Sequence, residues 1–345
     1  MILVSKEKKR FVRISGVGIY SPQKVETNEE LAKKQNLDPY RRKWLTEQLG
    51  GMYGLKVRHL AEPSETPSDM SANAAKEAIE NAGIKPEDLD LILLTTDTPD
   101  YVSPHTSPIV QHKTGAKNAG CFDLNAACAD QVIGMAIGSQ FIMTDPTINH
   151  VLVVAPYEMT RWIDREKDQI LTPIFSDGAG AVILSNSDEQ GYIASKIISD
   201  GSYWDCYGVY VGAAEPVTLE MVKEGKHHLR FHESGHKYPA EINEIYWPNL
   251  IRETVKKAGY QVNDLDMVLM TQVNLSSIKK VMNELGLPLN KTHWIMDKYG
   301  YCGSACVFMA LYDAVKQGKI REGDLVNFCT SGVGFTMAST LFRWV

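Results

Sequence analysis

The hydrophobic pattern of this chain repeats itself. Ala82-Gly-Ile-Lys-Pro-Glu-Asp-Leu-Asp-Leu-Ile-Leu-Leu-Thr-Thr96 aligns without a gap on Ala258-Gly-Tyr-Gln-Val-Asn-Asp-Leu-Asp-Met-Val-Leu-Met-Thr-Gln272, 176 residues further on. Each segment reads as a helix end, a glycine stop, a short connection and a continuous apolar strand. A strand apolar on every residue is buried on both faces, so it belongs in the middle of a layered α/β structure. The repeat continues: Asp123–Ile137 faces Asp297–Leu311 at a spacing of 174, which sets Cys128 opposite Cys302 and Met135 opposite Met309. Val151–Ala155 pairs with Leu325–Cys329, and Ala179–Leu184 resembles Ala338–Phe342.

These repeats in one order predict two similar α/β halves, 1–185 and 186–345, the first carrying the chemistry. The join falls within about 185–230, where Gly191, Gly201, Gly208 and Gly212 mark insertion loops expected over the site.

Composition narrows the class. Apolar residues make up 44% and charged residues 23% of 345, the balance of a soluble globular protein. A net charge of −6 gives no reason to expect nucleic acid or an anionic membrane as partner. No apolar run approaches the ~18–20 residues that span a bilayer. Met1–Arg10 places its charges after a very short apolar stretch, the reverse of a secretory signal. The six cysteines follow no framework spacing, which fits a reduced, cytoplasmic chain.

Cys128 is the chemical feature that stands out. In Phe122-Asp-Leu-Asn-Ala-Ala-Cys-Ala-Asp-Gln131 it follows a strand-like run and opens the apolar helix of Val132–Ile137. Free N–H groups and partial positive charge at a helix start favour a thiolate, so a nucleophilic cysteine is expected there. Asp130, in the first turn, works against ionisation of the thiol unless it is aimed away or paired.

Four motifs carry a resemblance over nearly the whole length: Ile14-Ser-Gly-Val-Gly-Ile-Tyr20, Asp123-Leu-Asn-Ala-Ala-Cys128, Phe175-Ser-Asp-Gly-Ala-Gly-Ala-Val182 and Gly332-Val-Gly-Phe-Thr336. With them the chain resembles the ketoacyl synthase III group of the thiolase superfamily. The resemblance implies a five-layer αβαβα fold with mixed sheets, an obligate dimer, and a site where the halves meet. It implies acyl-CoA or acyl carrier protein thioesters as substrates, with no tightly bound cofactor and no metal. Cys128 would take the acyl group, and the thioester oxygen would meet the Cys128 N–H and the Val333–Gly334 turn.

The resemblance breaks at two places. The family's His-Gln-Ala-Asn reads Thr271-Gln-Val-Asn274 here, and its Tyr-Gly-Asn-Thr-Ser reads Tyr299-Gly-Tyr-Cys-Gly-Ser304. Thr271 and Tyr301 therefore occupy the positions of the catalytic His and Asn. Thr can donate one hydrogen bond but is no base near neutral pH; Tyr donates from a longer reach. Substrate contacts carried over are Asn274, Arg161 for a phosphate and Trp44 for an adenine. His105, His232, His236, Cys302 and Cys329 stand as candidates to replace the missing imidazole. The expected activity is acyl transfer through acyl-Cys128, completed by Claisen-type condensation. Transfer to a non-malonyl acceptor, or service as partner subunit of a heteromer, stay open beside it.

Overall fold

The computed structural model describes residues 9–233 and 235–345, so the reading of Met1–Arg10 lies almost wholly outside the described residues. Five strands, β1 (Phe11–Tyr20), β2 (Leu91–Thr95), β3 (Gly120–Leu124), β4 (His150–Tyr157) and β5 (Gly178–Ser187), form a sheet in the order β1-β5-β4-β2-β3. β2 runs parallel to β3 and β4, whereas β5 is antiparallel to β1 and β4. A second sheet joins β6 (Tyr192–Ser199), β7 (Met267–Met270), β8 (Leu325–Gly332) and β9 (Thr336–Arg343) in the order β7-β8-β9-β6. Its one parallel pair is β7 with β8. Thr292 bridges Val268 in parallel where a counterpart of β3 would lie, so the two sheets share one plan.

Helices complete the layers. α1 (Pro67–Ala82) and α2 (Ser107–Thr114) pack on the first sheet. α3 (Asp130–Thr144) touches strands of both sheets, and α4 (Ile242–Lys257) and α5 (Leu275–Glu284) lie on the second sheet's side. α6 (Cys306–Lys316) runs beside α3 against β1, β5 and β7. The outcome is the expected αβαβα stack. α1 is fixed by a Thr66–Asp69 capping box and stops at left-handed Gly83; Gly259 ends α4 in the same way. α3 is apolar around its circumference because a sheet covers it on each side.

Gln131 ties the two central helices together. Its Oε1 accepts the Val307 and Phe308 N–H groups at 3.0 and 3.2 Å, two donors with no partner inside α6. Its Nε2 donates to the carbonyls of Cys128 and Gly303, both at 3.2 Å.

The structure also resets the repeat. The short 3-10 turns Ala127–Ala129 and Gly303–Ala305 precede α3 and α6, and each opens on a left-handed residue, Ala127 at φ 48° and Gly303 at φ 33°. The offset there is 176, as in β2 and β7, not 174. Cys128 therefore faces Ser304, and Cys302 faces Ala126. The spacing of 174 matched cysteine to cysteine because residue identity outweighed backbone geometry in a short alignment.

Candidate active site

Local geometry delivers Cys128 to the interface between the halves. β3 ends at Leu124, Asn125 Oδ1 accepts the Ala127 N–H at 2.9 Å, and the left-handed Ala127 turns the chain sharply into α3. The end of β8 passes directly against this turn. A Cβ at Gly332 would lie 2.3 Å from the Ala126 carbonyl oxygen, so only glycine permits the approach.

Cys128 is 6% exposed and borders two cavities. One, of about 290 Å³, is mostly apolar, with Leu171, Ile174, Ile242 and Val273 among its walls. The other, of about 530 Å³, carries polar groups, notably Asp97 and Asn125. Phe175, Tyr207 and Val333 line both, so the thiol sits where the two spaces meet.

Electrostatics at the sulfur corrects one expectation. Burial pushes the Cys128 thiol well up from its ordinary value, and the charge of Asp97 adds to this, while the Tyr301 hydroxyl opposes it by hydrogen bonding. The helix start does not offset the loss of solvent, so the resting group is the thiol. Asp130 is fully buried and pushed upward as well, by burial first and by Asp97 second. Ser304 Oγ donates to its Oδ2 at 3.1 Å, which aims that carboxyl toward α6.

Tyr301 and Thr271, standing in for the family's Asn and His, both line the apolar cavity beside Cys128. The Tyr301 ring packs against Phe175 and Tyr157 at centroid distances of 5.6 and 6.3 Å. Thr271 Oγ1 accepts the Ser331 N–H at 3.1 Å and so braces the strand leading into the glycine turn. Its hydroxyl hydrogen stays available as a donor.

Val333 and Gly334 reach the site, Gly334 at φ 81°. Tyr238 Oη accepts the Phe335 N–H at 2.8 Å, and the Gly334 N–H favours the charge on the same oxygen. The Phe335 N–H is therefore spent on a tyrosine that itself lines the apolar cavity.

The remaining carry-overs lie elsewhere. Asn274 is the N-cap of α5, its Oδ1 accepting from Ser276 and Ser277, and it borders neither Cys128 cavity. Arg161 is ion-paired with Glu158 and donates to the carbonyls of Glu62 and Pro63 at 3.0 and 3.2 Å, so its fork is already filled by protein. Trp44 is half-buried against the core at the start of a π-helical segment, Trp44–Met52, and lines neither cavity.

No histidine borders either cavity among the described residues. His236 is held by Asp205 at 3.1 Å, His232 packs on Trp204 and Tyr210, and His105 is exposed. The Cys302 thiol faces the Asp177 and Tyr299 carbonyls, and Cys329 is sealed within β8. Neither thiol lines the cavities.

Sequence reasoning missed Asp97, Tyr207 and Tyr238. Asp97 carried a signal, a carboxylate just past a buried strand end where loop residues turn functional. Tyr207 and Tyr238 lie in the connection between β6 and α4, whose short strands Tyr207–Gly208 and Arg230–Phe231 pair over the site. Their aromatic spacing has no period, so nothing in the sequence singles them out.

Comparison with known proteins agrees with this geometry. Residues 122–201 match the family described as 3-oxoacyl-[acyl-carrier-protein] synthase III, and residues 255–344 match its C-terminal part. The beta-ketoacyl-[acyl-carrier-protein] synthase III of Methylococcus capsulatus is 32% identical, over 97% of this chain and 99% of its own. That of Caldanaerobacter subterraneus is 33% identical over 96% and 97%. Among solved structures, the 3-oxoacyl-[acyl-carrier-protein] synthase III of Aquifex aeolicus superposes with a TM-score of 0.83 at 29% identity, covering 96% of this chain and all of that one. The priming beta-ketosynthase of the R1128 polyketide pathway superposes with a TM-score of 0.86 at 27% identity, over 99% of this chain and 98% of its own. With such identity carried from end to end, this chain belongs to the 3-oxoacyl-[acyl-carrier-protein] synthase III family and has its thiolase-like fold.

Proposed function

We propose that this protein is an acyltransferase of 3-oxoacyl-[acyl-carrier-protein] synthase III type in which Cys128 is the nucleophile. The observation that carries the reading is the place of Cys128, at a helix start on the seam of two cavities, 6% exposed and sharing the apolar one with Tyr301. The thiol sulfur attacks an acyl-CoA or acyl carrier protein thioester, and the coenzyme or carrier thiol leaves with the proton. A second substrate then takes the acyl group from sulfur, by Claisen-type condensation as the family membership supports. Each half of the chain, 1–185 and 186–345, supplies one side of this seam. A homodimer is the assembly proposed, with a heteromer of related chains as the other arrangement and the cytoplasm as its place. No helix among the described residues is long and apolar enough to cross a membrane.

Thr271 and Tyr301 favour a second reading of the acceptor step. Among the described residues no imidazole stands at the seam to stabilise an enolate, so loss of carbon dioxide from a malonyl group is expected to be weak. Transfer to an acceptor that needs no decarboxylation is the alternative that this pair favours. The test is incubation with acyl-CoA followed by intact-mass measurement. An acyl adduct that disappears in Cys128→Ser is the expected result; no adduct with any thioester would refute the enzyme. Robust carbon dioxide release from malonyl thioester would remove the second reading.

A further inference from the structure

Asp97 is a carboxylate without a partner at the seam. It stands two residues past β2, on the wall of the larger cavity that it shares with Cys128. Its Oδ1 is shut away from solvent and receives no hydrogen bond. No Lys, Arg or His is ion-paired with it, and apart from its own backbone N–H no described group supports the carboxylate. The ionisable groups that feel its charge are Cys128, Asp130, Tyr157 and Tyr207, from β4, the Cys128 turn, α3 and the loop after β6. None is cationic. Burial accordingly pushes its pKa up to about 6, which leaves it largely ionised at neutral pH.

A half-buried carboxylate with one oxygen sealed from solvent, no counter-ion and no donor beyond its own N–H is costly, and covering it with hydrocarbon makes the cost worse. A ligand that brings a donor removes that cost, and an analogue lacking the donor is rejected. The neighbouring apolar cavity already offers a place for plain hydrocarbon. We propose that Asp97 makes this protein selective for a thioester whose acyl portion carries a hydroxyl or amino group a few bonds from the carbonyl, seated in the larger cavity and donating to the Asp97 carboxylate. The inference rests on acylation of Cys128. The donor can arrive on the acyl group that loads Cys128 or on the second substrate, and the two sources are separable.

The experiment uses the full chain and matched thioesters, 3-hydroxybutyryl-CoA and β-alanyl-CoA against butyryl-CoA. In the first arm, the rate of adduct formation on Cys128 is read by intact mass. In the second, the enzyme is preloaded with acetyl, and the same thioesters are compared as second substrate by the rate at which the acetyl adduct is lost. The expected result is a preference of roughly tenfold or more for the hydroxy or amino member in one arm. Asp97→Leu should abolish or reverse that preference. Asp97→Asn should keep part of it for the hydroxyl and lose it for the ammonium. Equal rates within the pairs in both arms, or a preference unchanged in a folded Asp97→Leu, would overturn the proposal. No adduct from any thioester is a separate result: it refutes the acyl-Cys128 reading and this inference with it.

Discussion

Two turns in this molecule have nearly the same backbone and opposite duties. Ala126–Asp130 and Cys302–Cys306 each run through a left-handed residue and a 3-10 turn into a central helix. In the first, the residue after the left-handed position is Cys128, which opens onto two cavities. In the second it is Ser304, fully buried and bonded to Asp130 of the first. Their surroundings make the difference. Gly303 must be glycine, since a Cβ there would lie 2.1 Å from the Tyr157 ring, whereas Ala127 carries a side chain in the same left-handed region. One turn is packed shut to brace the other, and the strained one keeps the space around its sulfur.

The comparison breaks most forcefully at Gly303. Gly303→Ala should cost about 3 kcal/mol or more of unfolding free energy, because the Tyr157 ring has to move within a packed aromatic cluster. Ala127→Gly at the matching position should stay within about 1 kcal/mol, since relief of left-handed strain and the added chain entropy nearly cancel. Urea titrations of both variants check this; equal losses would show that the turns are not packed differently.

Next comes Tyr301, the group that supports the first turn's sulfur and has no equivalent duty at the second. Tyr301→Phe removes the hydroxyl that holds the Cys128 thiol down, so the thiol should rise further. Acyl-adduct formation should slow several-fold near neutral pH, because less of the reactive thiolate forms. The pH dependence of Cys128 alkylation by iodoacetamide is the check, and it should move upward.

The smallest effect concerns Asp130, which links the two turns. Its folded pKa stands well above the ordinary 3.8, so the folded chain keeps a proton that the unfolded chain releases. That contribution is complete below about 4 and is lost as pH rises toward and through the folded value. Asp97, at about 6, acts in the same direction. The stability of Asp130→Asn relative to the parent should therefore grow as pH is raised from 4 to 8. Urea midpoints at the two ends measure it, and a constant difference would place the charge of Asp130 elsewhere.

Much of the fold was legible without coordinates. Runs apolar on every residue, such as Leu91–Leu94 and Met267–Met270, report burial on both faces, and Gly83 and Gly259 report where helices must stop. Cys128 was legible too, because a cysteine between a strand and an apolar helix is a local pattern. Its register against the second half was not: identical residues at a spacing of 174 competed with a backbone repeat of 176, and only the paired left-handed residues decide between them. Arg161 and Asn274 fit a motif in sequence, yet one fills its fork with nearby carbonyls and the other caps a helix.

By itself, the sequence determined the two-half α/β plan, the glycine stops and the cysteine at the head of a buried helix. These depend on local preference and on hydrophobic period, which neighbouring residues encode. Only the tertiary structure decided that burial drives the thiol's pKa upward, that Asp97 stands beside it without a counter-ion, and that Tyr207 and Tyr238 line the site. Those outcomes depend on desolvation and on contacts between residues as far apart as Cys128 and Tyr301, which no local window contains.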